Sequence, residues 1–461
     1  MAGEPPRFGA IDRERLTRLR RREEESFVDE HPRSRELAER ARDSLLGGVP
    51  MHWMVRWPDR FPVFVEEADG ARFVDVDGRE YVDLCLGDTG AMCGHAPAPV
   101  VSAVADRAAR GATLMLPAED AIWCAEELGR RFDLPLWQFT LTATDANRFA
   151  IRLARQVTGR RRILVHNRCY HGTVDETFAI IGDGGEVTER EGNIGAPVDP
   201  ALTTRVVEFN DVAGLERALA GGDVAAVLCE PALTNVGIVL PEPGYHEALR
   251  ELTRTHGALL IIDETHTICA GPGGCTRAWD LDPDVLVIGK TIAGGVAAGT
   301  YGFSDEVGKR VVAAIPERTA DIGGIGGTLA GNALSFAAMR ATLAEVLTDG
   351  AFERMIALGE RFESAVAGAI GELGAPWHVT RLGCRAEYLF SSRRPRNGGE
   401  AEEAGDAALD EYMHLFALNR GILLTPFHNM ALISPATSED DVDRHTEVFR
   451  EAVGELVGKT P

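Results

Sequence analysis

Ala258-Leu-Leu-Ile-Ile-Asp263-Glu264 and Asp284-Val-Leu-Val-Ile-Gly289-Lys290 are the two stretches whose reading decides the fold. Each is a short unbroken apolar run rich in branched residues, the pattern of a strand buried on both faces. An acid closes the first run, an amine follows 27 residues later, and Gly294-Gly295 lies just beyond. In an open α/β sheet the carboxyl ends of the strands are where ligands bind. Asp263 and Lys290 are therefore expected at one functional edge.

Outward from this pair, helical and apolar segments alternate from about Pro97 to Thr348. They include a helix after Thr144, the strand Ile163-Leu-Val, a strand near Val206, the strand Val224–Cys229 and a helix from Tyr245 to Thr255. That alternation predicts an α/β fold with a mostly parallel sheet covered on both faces. Upstream, Arg13–Leu46 reads as a helix ended by Gly47-Gly48-Val49-Pro50. Phe73-Val-Asp-Val and Tyr81-Val-Asp-Leu then alternate around Asp77-Gly78 as a hairpin. Beyond Thr348 the order becomes a long helix near Phe352–Leu373, strands near Val379 and Tyr388, a helix at Gly405–Asn419, a strand Ile422-Leu-Leu and a closing helix from Ser438. The tract Arg393–Gly405 reads as a surface loop. These shifts predict an N-terminal helix and substrate-side segment over 1–75, a large domain over 76–348 and a smaller α+β domain over 349–461.

The formal charge of -23 argues against nucleic acid and anionic membrane surfaces as partners. Eight cysteines form no C-x-x-C pair, which fits buried reduced thiols and no metal site. The N-terminus lacks the apolar core of a signal peptide, and no apolar run approaches the roughly 18 residues of a membrane span. A cytoplasmic enzyme is expected. Arg13, Arg15, Arg18 and Arg20–Arg22, followed by Glu23–Glu25, read as a solvated helix with i,i+4 ion pairs rather than a partner-binding arm.

A lysine able to form a Schiff base, and an aspartate able to keep a pyridinium nitrogen protonated, are what pyridoxal-phosphate chemistry needs. Lys290 would anchor the cofactor and then move protons as general base and acid; Asp263 would sustain the ring as an electron sink. A phosphate suits a helix N-terminus, and Thr142-Ala143-Thr144 precede a clear helix; plain N-capping by Thr144 accounts for the same residues. Tyr170, in Cys169-Tyr170-His171-Gly172, offers a ring to stack on a pyridine.

With these motifs together, the chain resembles a fold-type I, class III pyridoxal-phosphate aminotransferase over roughly residues 45 to 455, and is most similar to the glutamate-1-semialdehyde 2,1-aminomutase group. That family's Ser-Gly-Thr-Glu-Ala-Asn appears as Thr142-Ala-Thr-Asp-Ala-Asn147, and its Tyr-His-Gly as Tyr170-His171-Gly172. Its Glu-Pro with a following asparagine appears as Glu230-Pro231 and Asn235, its Asp-Glu-Val as Asp263-Glu264-Thr265, its Gly-Lys as Gly289-Lys290, and its Gly-Thr as Gly327-Thr328. The resemblance implies phosphate contacts from Thr142, Ala143 and Thr144, and stacking by Tyr170 with His171 beside it. It further implies that Asn235 reaches the ring hydroxyl near Glu230, and that Thr265 packs on the opposite ring face. Thr328 would arrive from a second copy, so a homodimer with shared active sites is implied.

Two departures bear on the activity. A threonine, Thr265, replaces the family's valine, and in the C-terminal domain Thr425-Pro426-Phe427-His428-Asn429-Met430 stands where the aminomutase group reads Ala-Pro-x-x-Phe-Glu, so that Met430 replaces an acid. The segment Gly47–Trp57 corresponds to the one carrying that group's carboxylate-binding arginine. This makes Arg56 a candidate anchor and Trp53, Trp57 and Met430 candidate pocket residues; core packing is the alternative for the tryptophans. The lost acid favours an aminotransferase that moves an amino group between an amine or amino acid and a keto acid, ketone or aldehyde, with an aminomutase or an epimerase as the alternative.

Overall fold

The computed structural model describes residues 11–57, 60–315 and 323–459. Two compact units emerge. One comprises Ala98–Phe352 with Pro395–Glu402; the other holds the described chain up to Pro97, Glu353–Arg394 and Glu403 onward.

The first unit is built on a seven-stranded sheet in the order Leu136–Thr140, Gly299–Phe303, Val285–Gly289, Leu259–Asp263, Val224–Cys229, Arg162–His166, Thr204–Val207. Gly299–Phe303 pairs antiparallel with both neighbours, and the remaining ladders are parallel. Every residue of Val224–Cys229, Leu259–Asp263, Val285–Gly289 and Gly299–Phe303 is buried. That is why the two opening stretches show no polar alternation: both faces are covered by helices. Each aliphatic side chain sequestered there contributes about 1.5–3 kcal/mol of transfer free energy. In the parallel ladder Asp263 lies opposite Val287, so the residues that follow both strands, including Lys290, leave the sheet at the same carboxyl edge.

Gly299–Phe303, Gly-Thr-Tyr-Gly-Phe, lacks the composition of a strand, and the reason is steric. A Cβ on Gly299 would overlap the Thr142 carbonyl, and one on Gly302 would lie 2.8 Å from the Trp137 indole. Neighbours approach that backbone too closely for any side chain. Gly289 is constrained in the same way, its virtual Cβ lying 3.0 Å from Ala143 N.

The second unit holds a four-stranded sheet (Val65–Asp69, Arg72–Asp75, Glu80–Asp83, Ile422–Leu423) and a three-stranded one (His378–Leu382, Arg385–Leu389, Met430–Leu432). Helices Arg13–Glu30, Pro32–Ala41, Ala407–Asn419 and Glu439–Val457 belong to it. The single helix expected over Arg13–Leu46 is two helices. Pro32 has no N–H to donate and pushes the preceding residue out of helical geometry; His31 sits at φ -125, ψ 53. Its buried ring bonds the Phe27 carbonyl at 2.6 Å and the Tyr81 hydroxyl at 2.7 Å. The N-terminal arginines do form i,i+4 pairs, such as Arg20–Glu24 at 3.4 Å, but Arg20 and Arg22 also reach Glu411 and Glu455 at 2.6 and 2.7 Å. The tract Arg393–Gly405 is not only loop, for Gly398–Glu403 is helical. Ala401 is buried in the large unit's core, and a Cβ on Gly398 would strike the Asn167 carbonyl.

All eight cysteines are buried and free. No described helix is long and apolar enough to cross a membrane, and among the described residues no group of three His, Cys, Asp or Glu side chains could hold a metal ion.

Gly299→Ala is expected to lower stability by about 1–3 kcal/mol through overpacking against fixed backbone, read as a fall in the chemical-denaturation midpoint. An unchanged midpoint would mean that the Thr142 carbonyl can move aside.

Candidate functional site

At the carboxyl edge of the large unit's sheet, Asp263 is 4% exposed, and an ionised carboxylate can be buried there only if donors surround it. Oδ2 accepts from Asn147 Nδ2 at 2.9 Å and stands 2.9 Å from His171 Nδ1, while Oδ1 accepts from the Thr265 backbone N–H at 3.1 Å. Asn147 also donates to the His171 carbonyl at 3.1 Å. Burial alone would raise the Asp263 pKa, but these donors, His171 foremost, hold it below the ordinary carboxylate value. Burial likewise opposes the charged form of His171, yet the fields of Cys169 and Asp263 hold that ring well above the usual imidazole value. The carboxylate therefore stays negative, with acceptor capacity left on Oδ1.

Its neighbour Glu264 has a structural role. Fully buried, it accepts from Thr267 Oγ1 at 2.5 Å, Thr276 Oγ1 at 2.6 Å, Thr276 N at 2.5 Å and Cys275 N at 3.2 Å, and fixes the turn that follows the strand. Burial nonetheless raises its pKa.

Lys290 follows Gly289 with a left-handed backbone, φ 52, unusual for a residue with a side chain. Its Nζ stands 2.8 Å from His266 Nε2. Sequence reasoning passed over His266; the one signal was a titratable residue three places after Asp263.

The helix Ala143–Thr158 opens at this edge. Thr142 is its N-cap, its hydroxyl accepting from Asp145 N at 3.2 Å, so the capping expected of Thr144 is performed two residues earlier. Thr144 Oγ1 instead accepts from Thr173 N at 3.2 Å, and Gly172, at φ +79, is where it is because a Cβ would overlap that hydroxyl. The first-turn N–H groups of Ala143 and Thr144 have no intrahelical acceptor by helix geometry. Tyr170 is half-buried, its ring edge-on to Phe178 with centroids 6.2 Å apart. Asn235 Nδ2 donates to the Arg168 carbonyl at 2.9 Å. Glu230 is buried and accepts from the Thr234 hydroxyl. Thr328 lies exposed in a turn just after Gly327.

Asn147 Oδ1, His171 Nε2 and Thr265 Oγ1 are buried and make no well-formed hydrogen bond, although the Thr265 hydroxyl lies close enough to Asp263 to lower its pKa. Buried polar atoms are normally satisfied. Together with an anionic carboxylate, a primary amine and an open helix N-terminus, they fit a polar, phosphorylated pyridine.

The substrate-side candidates lie in the other unit. Trp53 makes an edge contact with Phe427, centroids 6.5 Å apart, and Trp57 one with His414 at 5.4 Å. The side chain of Arg56 lies outside the described residues. Met430 is fully buried in a strand, opposite Glu387 on the neighbouring strand. Residues paired in this way project from the same sheet face, so a buried carboxylate is retained beside the position where the motif lost one. His428 Nδ1 stands 3.3 Å from it.

A family model for class III aminotransferases matches residues 53–453. A glutamate-1-semialdehyde 2,1-aminomutase from Sorangium cellulosum is 35% identical over 434 residues, 92% of this chain and 97% of that protein. The crystal structure of a glutamate-1-semialdehyde-aminomutase from Pseudomonas aeruginosa PAO1 is 51% identical, covers 97% of this chain and 99% of its own, and superposes with a TM-score of 0.95. A lysine-to-alanine variant of that enzyme, in complex with PMP, matches at 50% identity with the same coverage and TM-score. These relatives correct the expectation of transfer to an external acceptor. These proteins match this one over nearly its whole length and carry the name of an isomerase, and the substitution at Met430 does not outweigh that likeness.

The pair His171–Asp263 supplies a pH test. Depression of the Asp263 pKa adds stability above its ordinary value of 3.8 that is lost as pH falls through the folded value. Elevation of the His171 pKa adds stability below 6.5 that is lost as pH rises through its folded value. The stability difference between wild type and His171→Gln, measured by denaturant titration, should thus be greatest between these two ordinary values and shrink on both sides. A difference independent of pH would mean that the pair carries no charge.

Proposed function

The chain belongs to the class III aminotransferase family and is a pyridoxal-phosphate enzyme, and we propose that within this family it is a glutamate-1-semialdehyde-type aminomutase. The observation that carries this reading is the 51% identity and 0.95 TM-score, over 97% of the chain, to an enzyme so named. The substrate class is a short α-amino aldehyde with a terminal carboxylate. Moving the amino group to the adjacent carbon, while the carbonyl oxygen takes its place, converts 4-amino-5-oxopentanoate to 5-amino-4-oxopentanoate. The two are isomers, so no external acceptor is consumed.

When bound, the cofactor supplies a carbonyl carbon that condenses with amines and a ring that accepts the electron pair released at substrate carbon. Lys290 would anchor it and, once displaced, would carry protons as general base and acid between the substrate carbons and the cofactor carbon that bears the nitrogen. Asp263, negative and braced by His171 and Asn147, holds the proton on the ring nitrogen. Asn235 and Glu230 serve the ring hydroxyl side, and Tyr170 and Thr265 cover the two faces. Thr142, Ala143 and Thr144 cradle the phosphate, where N–H groups and the helix dipole favour an anion. Arg56, Trp53, Trp57 and Met430 are assigned to the substrate side.

Thr328 completes the phosphate site of a second copy. Leu114, Met115, Leu116 and Ile122 are 54%, 75%, 70% and 63% exposed, an exposed apolar stretch suited to a symmetric dimer. The eight reduced thiols suit the cytoplasm.

Purified enzyme given glutamate-1-semialdehyde and no keto acid should form 5-amino-4-oxopentanoate, and Lys290→Ala should lower the rate by on the order of 100- to 10,000-fold. Product that appears only when a keto acid is added would return the chain to transfer. Met115→Asp with Leu116→Asp should convert a dimer to monomers in analytical ultracentrifugation, with loss of cofactor affinity. A monomeric wild type would remove the shared site.

A further inference from the structure

We propose that His266 is the proton-holding partner of Lys290: it takes the ammonium proton and so makes the amine available as a nucleophile and base. The inference rests on Lys290 being the cofactor's anchor and deepens that reading.

The carrying observation is the 2.8 Å separation of Lys290 Nζ and His266 Nε2. A lysine ammonium has only donors. Opposite an ammonium, Nε2 is the accepting nitrogen with the ring proton on Nδ1; opposite a neutral amine, Nε2–H is the donor. Two fully protonated groups cannot face each other so closely, so the pair holds one shared proton. In the transfer, one N–H bond breaks at Nζ as another forms at Nε2. The charge passes to the imidazole, and a lone pair is freed on the amine.

The geometry is held by the fold. His266 stands between Glu264 and Thr267, whose hydroxyl is bound by the Glu264 carboxylate at 2.5 Å, and the Ile268 N–H bonds the Glu264 carbonyl at 2.9 Å. The turn is thereby pinned to the strand end beside the one carrying Lys290. The other titratable groups about this corner are Asp263, bonded to His171, Glu264, bonded to its threonines, and the buried thiols Cys269 and Cys275. The imidazole is a proton acceptor that the geometry presents directly to the amine.

The test follows reconstitution of cofactor-free protein with pyridoxal phosphate by the growth of its visible absorbance band, at a series of pH values. This reads the free amine directly, without turnover. His266→Gln keeps a polar side chain but cannot accept a proton. Its profile should move to higher pH by about one unit, with reconstitution about tenfold slower near neutrality, while band position at high pH is unchanged. If that variant does not fold, His266→Ala should be accelerated by added imidazole in proportion to the free base. Superimposable profiles for wild type and His266→Gln, or failure of imidazole to accelerate His266→Ala, would overturn the role of His266 while leaving the anchor intact. Absence of any band in wild type, or a band that survives in Lys290→Ala, would remove the anchor itself and this inference with it.

Discussion

A carboxylate at the end of a strand buried on both faces can remain charged only when the protein replaces the water it has lost. Asp263 is in that position, and Asn147, His171 and the Thr265 amide are the replacement. The three come from a helix opening, a strand-end loop and the turn after Asp263 itself. Seating the carboxylate therefore aligns these segments, and the same alignment brings Lys290 from the next strand to the same edge. Removing one donor would leave the charge uncompensated, a costlier change than the hydrogen bond alone suggests.

Close backbone approach is the second constraint. Gly289 and Gly299 bring two adjacent strands against Ala143 and Thr142, and so place the N-terminus of a long helix beside the lysine. Gly172 does the same for the loop carrying Tyr170 and His171. At these positions the sequence records the absence of side chains rather than their chemistry.

Much of the site was legible because it is local. Asp263, Lys290 and Thr142–Thr144 each terminate or begin an element whose pattern is unmistakable, and the sheet edge follows from chain direction. The antiparallel strand Gly299–Phe303 was missed because its glycines answer to Trp137 and Thr142, contacts that lie far off in the chain. His266 carries no mark in the sequence that separates it from any turn histidine; only the distance to Nζ does. Met430 read as a lost acid since motif comparison proceeds along one strand. Glu387 stands opposite it, and a ladder partner is invisible until the register is known. The helix break at His31 was readable from Pro32, whereas Gly398–Glu403 is too short and too glycine-rich to announce itself.

Lys290 carries its side chain on a left-handed backbone, a conformation that costs a residue with a Cβ roughly 1–2 kcal/mol. A glycine there would relax the chain and lose the amine. The anchor is thus a point at which the fold is held below the stability it could reach. In a gene no longer under selection for catalysis, this codon would be one of ten among the described residues at which a glycine relieves a left-handed backbone. Among descendants of this chain, the most heat-resistant need not be those that still work.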